Sequence, residues 1–208
     1  MDEYILQTHD IVKQFPGQLV LKNVNLNFKK ASVHALVGEN GAGKSTLINI
    51  ISGAIAPTSG YFEFEGQKVG EVTPQDTQKM GIGVVHQELN LIPEMTVAEN
   101  LFLGQELKNS FGKIDWRETN RKAKELLSGF DVSFNEKSKI NSLSVAEQQM
   151  VEIIKVVSTN SKLIFMDEPT AVLTERETAQ LFKVVKNLKK QGRTIVYISH
   201  RLNELKEI

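Results

Sequence analysis

The sequence predicts an α/β fold in which a parallel sheet carries helices on both faces, an antiparallel β subdomain precedes it and an α-helical subdomain is inserted into it. Three observations carry that expectation. From about residue 30 onward, short apolar runs alternate with helical periodicity, the pattern of strands joined by crossover helices. Before that point, Leu19–Phe28 alternates apolar and polar positions with period two, as a half-exposed antiparallel strand does. Between about Glu88 and Asn160, helical patterning dominates and strand signals are scarce.

Taken in order, Ser32–Val37, Ile82–Val85, Leu163–Met166 and Thr194–Ile198 read as the core strands, each nearly continuous in apolar or β-branched residues, as expected when both sheet faces are covered. Three helix starts carry a Ser or Thr with Glu three residues on: Thr96/Glu99, Ser144/Glu147 and Thr174/Glu177. In each pair the two side chains satisfy backbone amides that the first turn leaves free. Met150, Ile153, Ile154 and Val157 form an apolar stripe after Ser144. Leu181, Val184, Val185 and Leu188 do the same after Thr174, and Gly192 suits the stop. One domain over residues 1–208 is expected, with 1–88 and 161–208 forming the α/β core and its β subdomain, and 89–160 the helical subdomain. At the end, Leu202, Leu205 and Ile208 continue a helical stripe without a stop signal, as in a chain cut from something longer.

Composition narrows the class. A chain of 208 residues with 40% apolar and 24% charged residues can bury a full core and is neither disordered nor collagenous. Twenty-five basic residues balance 25 acidic ones, with no long basic run, so no bulk attraction to nucleic acid or anionic membrane follows. Cysteine is absent, which excludes disulfides and thiolate metal sites. The N-terminus, MDEYILQ, carries acid where a secretory signal carries base, and the longest charge-free stretch, Leu47–Phe62, is broken by Gly53, Pro57 and Gly60. The expectation is a cytosolic protein whose membrane role, if any, runs through a partner.

The strongest chemical signal is Gly38-Glu-Asn40-Gly41-Ala-Gly43-Lys44-Ser45-Thr46, placed directly after an apolar strand and before the helical run LINIISG. Glycines let consecutive N–H groups converge on phosphate oxygens, and the following helix presents its positive end. Lys44 then neutralises β- and γ-phosphate charge and the Ser45 hydroxyl holds Mg²⁺. This is the P-loop pattern, so the core is expected to be of the RecA-like P-loop NTPase kind. Further on, the strand Leu163–Met166 ends in Asp167-Glu168-Pro169. Asp167 is placed to bind Mg²⁺ through water and Glu168 to polarise the attacking water. His200 and Gln87 each follow a strand at its carboxyl end, the edge where parallel sheets bind ligands. His200 is a candidate γ-phosphate donor, and Gln87 a candidate contact to Mg²⁺ or the water. Phe15 offers a flat face to adenine. Each also has a plainer reading: a Gly-rich turn, a solvated strand end, a structural His, a surface Gln, a small aromatic near a turn.

Together, the P-loop, Gln87, Asp167-Glu168 and His200 occur in the order and spacing of the ATP-binding cassette (ABC) ATPases, which the chain resembles over essentially its whole length. In that family the helical insert carries Leu-Ser-Gly-Gly-Gln, which docks on the ATP of a partner cassette. The matching stretch here is Leu143-Ser144-Val145-Ala146-Glu147, which keeps the Ser and replaces both glycines and the Gln. By resemblance, Ser144 contacts nucleotide across the pair, and Val145 and Ala146 weaken that half-site. LSVAEQQMVEI, HQELNLIPEMTVAENLFLG and DEPTAVLTERE look like the N-terminal cassette of bacterial monosaccharide importers of the ribose, galactose and arabinose type. The resemblance implies an ATPase using ATP and Mg²⁺ and a second cassette in the same polypeptide. It also implies membrane permease subunits, an indirect sugar-binding protein, and a peripheral place on the cytoplasmic face of the membrane, with no nucleic acid. A GTPase is disfavoured because no Asn-Lys-x-Asp occurs. A soluble ABC ATPase of DNA repair or translation is the stronger rival, opposed by the neutral charge.

Overall fold

In the computed structural model, residues 3–39, 41–205, 207 and 208 are described. Asn40 and the side chains of Leu202 and Leu205 lie outside that description. The elements run β1 (Tyr4–Phe15), β2 (Gln18–Val24), β3 (Asn27–Lys29), β4 (Val33–Leu36), α1 (Lys44–Ile51), β5 (Ser59–Phe64), β6 (Gln67–Val69), α2 (Pro74–Met80), β7 (Ile82–Val85), α3 (Val97–Leu101), α4 (Trp116–Leu127), α5 (Val145–Ser158), β8 (Leu163–Asp167), α6 (Glu175–Lys190), β9 (Thr194–Ile198) and α7 (Leu202–Leu205).

Two sheets form. One is antiparallel, in the order β2-β1-β5-β6 with β3 also on β1, and the other is parallel, in the order β4-β9-β8-β7. The core strands alternate their side chains between the faces of the parallel sheet. Leu163, Phe165, Val196 and Ile198 pack with α1 and the antiparallel sheet. Ile164, Met166, Ile195 and Tyr197 pack with Leu181, Phe182, Val185 and Leu188 of α6 and with Ile153 and Val157 of α5. A third cluster joins α3, α4 and α5 through Val97, Leu101, Ala123, Leu127, Val151 and Ile154. Helix α5 therefore belongs to two cores at once: it starts among the inserted helices and ends against the sheet.

All three expected capping boxes are present, with both reciprocal bonds. A fourth, Thr73/Asp76 at the start of α2, uses Asp in place of Glu. Three sequence expectations are corrected. Leu19–Phe28 is not one strand: it breaks between β2 and β3, because Asn23 turns to φ 46° and Asn25 leaves the ladder to exchange hydrogen bonds with Asp10, at 2.8 and 2.9 Å. Ser32–Val37 shortens to Val33–Leu36 and is only half-buried, since β4 pairs with β9 alone among the described strands. Strand β8 runs one residue further than expected and takes in Asp167.

Candidate functional site

Because β4, β7, β8 and β9 are parallel, their carboxyl ends share one edge of the sheet. The Gly38–Thr46 loop follows β4, Gln87 follows β7, Asp167 and Glu168 end β8, and His200 follows β9. The loop, Gln87, Asp167 and Glu168 meet at a cleft of about 410 Å³ lined by Gln18, Val20, Gly41, Gly43, Lys44, Ser45, Thr46, Gln87, Asp167 and Glu168. A roomier hollow, about 780 Å³, lies around Ile50–Val72, but it gathers none of this chemistry.

Helix α1 opens the cleft. Its N-cap is Gly43 at φ 90°, with no side-chain cap and no acidic residue in the first turn. The free amides and the positive end of the helix are thus left for an anion. Gly43 is needed for a steric reason as well: a Cβ there would lie 2.6 Å from Leu21 Cδ2 and 3.2 Å from the Val20 carbonyl. Lys44 folds back over the loop, its Nζ donating to the Gly38 carbonyl at 2.7 Å and the Glu39 carbonyl at 2.9 Å. The Ser45 hydroxyl donates to Asp167 Oδ2 at 3.0 Å across 122 residues of sequence.

Glu168 sits in the left-handed region at φ 47°, which costs a non-glycine residue ~1–3 kcal/mol. It is held there because its amide donates to the Ile198 carbonyl at 3.0 Å and its Oε1 lies 2.9 Å from His200 Nδ1. A carboxylate only accepts, so Nδ1–H is the donor, and Nε2 of the neutral ring is left an acceptor. The Glu168 side chain is 15% exposed and that of His200 51%, so the imidazole faces solvent while the carboxylate is mostly enclosed.

Of the residues named from sequence, Gly41, Gly43, Lys44, Ser45, Thr46, Gln87, Asp167 and Glu168 line the cleft together. His200 joins through Glu168, and Gly38 through the Lys44 ammonium. Asn40 lies outside the described residues. Phe15 is not a lining residue: it is 39% exposed, pairs with Gln18 across the β1–β2 turn, and has the Lys13 ammonium 5.1 Å from its ring centre. Ser144 also lies apart, capping α5 beside exposed Val145. There the Ser133 hydroxyl, and then the Ser144 amide, hold the Glu147 carboxyl below its usual range. Gln18 and Val20 were missed. They reach the cleft only through the β1–β2 pairing, and no local pattern marks them.

The donor set suits Mg²⁺, a hard cation that takes oxygen ligands and keeps several waters. A hydroxyl and a carboxylate already adjoin at Ser45 and Asp167, and the Gln87 amide lines the same cleft.

A family profile described as ABC transporter matches residues 21–171. The ADP conformation of MJ1267, an ATP-binding cassette of an ABC transporter, is similar with a TM-score of 0.87 and 32% identity over 100% of this chain and 85% of that one. The protein cbiO1 from Clostridium perfringens, part of the ABC transporter complex cbiONQ, gives 0.81 at 25% identity over 96% and 80%. The dimeric structure of MJ0796, a bacterial ABC transporter cassette, gives 0.79 at 28% identity over 97% and 90%.

Proposed function

The chain belongs to the ATP-binding cassettes of ABC transporters, and on that premise we propose that it is the ATP-hydrolysing cassette of a bacterial monosaccharide importer. The observation that carries the chemistry is the convergence, on one cleft, of an uncapped helix start, Lys44, the Ser45–Asp167 pair and the Glu168–His200 pair.

The loop amides from Gly41 to Thr46 receive the phosphates of ATP, and Lys44 exchanges its two carbonyl contacts for phosphate oxygens. Ser45, Asp167 and Gln87 would hold Mg²⁺, which supplies positive charge to the phosphate oxygens when bound. Phe15, exposed outside the cleft but paired with the lining residue Gln18, stacks on the adenine that extends past the cleft's edge. Glu168 takes the proton of the attacking water, and its strained backbone, fixed from β9, sets where the carboxylate points. With Nδ1–H committed to Glu168, His200 reaches the γ-phosphate as a donor only from a protonated Nε2.

Ser144 faces the nucleotide of a second cassette, and the exposed Val145 side chain, with half-buried Ala146 next to it, makes that half-site the weaker one. Residues 89–160 form the unit that passes cassette closure to membrane permease subunits, with Gln87 at its hinge. The site is peripheral, on the cytoplasmic face of the membrane, and no described helix is long and apolar enough to cross it.

Support for sugar as cargo comes from the LSVAEQQMVEI and DEPTAVLTERE segments. The test is to purify the protein with its permease in lipid and measure ATPase activity with binding protein loaded with ribose, galactose or arabinose. Stimulation by one loaded sugar is expected. Co-purified nucleic acid, with an ATPase that nucleic acid stimulates, would overturn the importer reading in favour of a soluble repair or translation ATPase.

A further inference from the structure

We propose that Glu204 is a positioning residue: its carboxylate ties the loop after Glu168 to the loop that carries His200 and so holds that pair in register. The inference rests on the reading of Glu168 as the base.

The side chain of Glu204 is 10% exposed, and its carboxylate gathers donors from separate segments. The Thr170 hydroxyl lies 2.9 Å from both oxygens. The Tyr197 hydroxyl and the Ser199 hydroxyl each donate to Oε2 at 3.1 Å. Arg201 approaches Oε1 at 3.5 Å, and its backbone amide donates to the Ser199 hydroxyl at 2.9 Å. Burial pushes the Tyr197 hydroxyl well above its ordinary pKa, so it stays a donor.

The placement of these donors is what matters. Thr170 stands two residues after Glu168, and Ser199 one residue before His200. Strands β8 and β9 fix the pair from below through the bond from the Glu168 amide to the Ile198 carbonyl. Beyond the strand ends, both residues sit on loop backbone, and Glu204 is the group that joins the two loops there. A hydroxyl-rich hub around an enclosed carboxylate has well-defined geometry, because hydroxyl donors from separate segments converge on its two oxygens. Loss of the clamp leaves the P-loop side of the cleft untouched, since neither Lys44 nor Ser45 contacts it. The signature is therefore a loss of turnover without a loss of nucleotide binding.

The experiment measures steady-state ATPase and Mg-ATP affinity of Glu204→Gln, Thr170→Val and the double variant in the assembled transporter, with thermal unfolding of each. The expected kcat falls by about tenfold or more in either single variant while KM and affinity stay within about twofold. The double variant should be no worse than the poorer single one, because both break one hub. Thr170→Ser, which keeps the hydroxyl, should restore turnover. Should Glu204→Gln fail to fold, the Thr170 pair alone decides. Wild-type kcat in Thr170→Val, or equal losses of kcat and affinity, would overturn the clamp. Glu168→Gln run alongside separates the two ideas: if it is inactive while the Glu204 variant is normal, only the clamp falls, whereas turnover surviving in Glu168→Gln removes the base role and the clamp with it.

Discussion

Replacing Gly43 by Ala imposes two costs that the structure separates. The first is conformational: at φ 90° an alanine pays roughly 1–2 kcal/mol for the left-handed region. The second is steric. The new Cβ would lie 2.6 Å from Leu21 Cδ2 and 3.2 Å from the Val20 carbonyl, and Leu21 is a core residue only 4% exposed, so its neighbours must shift too. Overpacking of that kind costs about 1–3 kcal/mol. The sum, about 2–5 kcal/mol, corresponds to a fall in Tm of roughly 4–20 °C for a domain of this size. Gly41→Ala is the control, because Gly41 also has positive φ, at 83°, but among the described residues nothing lies within 4 Å of its Cβ position. It should lose only the first cost, about 2–8 °C. Thermal unfolding followed by circular dichroism reads both, and titration with Mg-ATP reads how far the shifted start of α1 weakens phosphate binding. Equal destabilisation in the two variants would refute the reasoning, since it would show that the contact between β2 and the P-loop imposes no constraint.

Other perturbations probe the remaining parts. Lys44→Ala removes a charge-assisted donor worth ~1.5–3 kcal/mol, so Mg-ATP affinity should fall about 10- to 150-fold by calorimetric titration; unchanged affinity would place the phosphates elsewhere. Phe15→Ala should weaken ATP and ADP equally, by at most about tenfold, and a loss confined to ATP would rule out adenine stacking. Glu147 has a depressed folded pKa, so its contribution is complete above its unfolded value of ~4.3 and is lost as pH falls through the folded one. The urea midpoint of wild type over Glu147→Gln should therefore be greatest near neutrality and shrink in acid. A gap that widens with acidification would contradict the assigned hydrogen bonds.

The parallel sheet was readable because Leu163–Met166 and Thr194–Ile198 are buried on both faces and carry no competing pattern. The edge where Lys44, Gln87, Asp167 and His200 gather follows from parallel topology alone, so the candidate site could be assembled from motif order. What stayed hidden depends on partners distant in sequence. Strands β5 and β6 went unread although Phe62-Glu63-Phe64 alternates in the sequence itself, because the run is short and its main partner, β1, lies far away along the chain. Leu19–Phe28 looked like one strand because nothing in its own pattern reports the Asn25–Asp10 exchange. The Thr73/Asp76 box was overlooked because the shorter Asp reaches the amide as well as Glu does. Glu204 looks like one polar residue of a terminal helix, and only the fold brings Thr170 and Tyr197 to it.

The central claim is that the cleft binds ATP through the P-loop and cleaves it with Glu168 as the base. Single-turnover hydrolysis of bound radiolabelled ATP by Glu168→Gln in the assembled transporter tests it most directly, with Mg-ATP affinity measured on the same sample. The account predicts that the variant retains ATP with affinity within about threefold of wild type and leaves it intact over many wild-type turnover times. Hydrolysis of the bound ATP at the wild-type rate would contradict it.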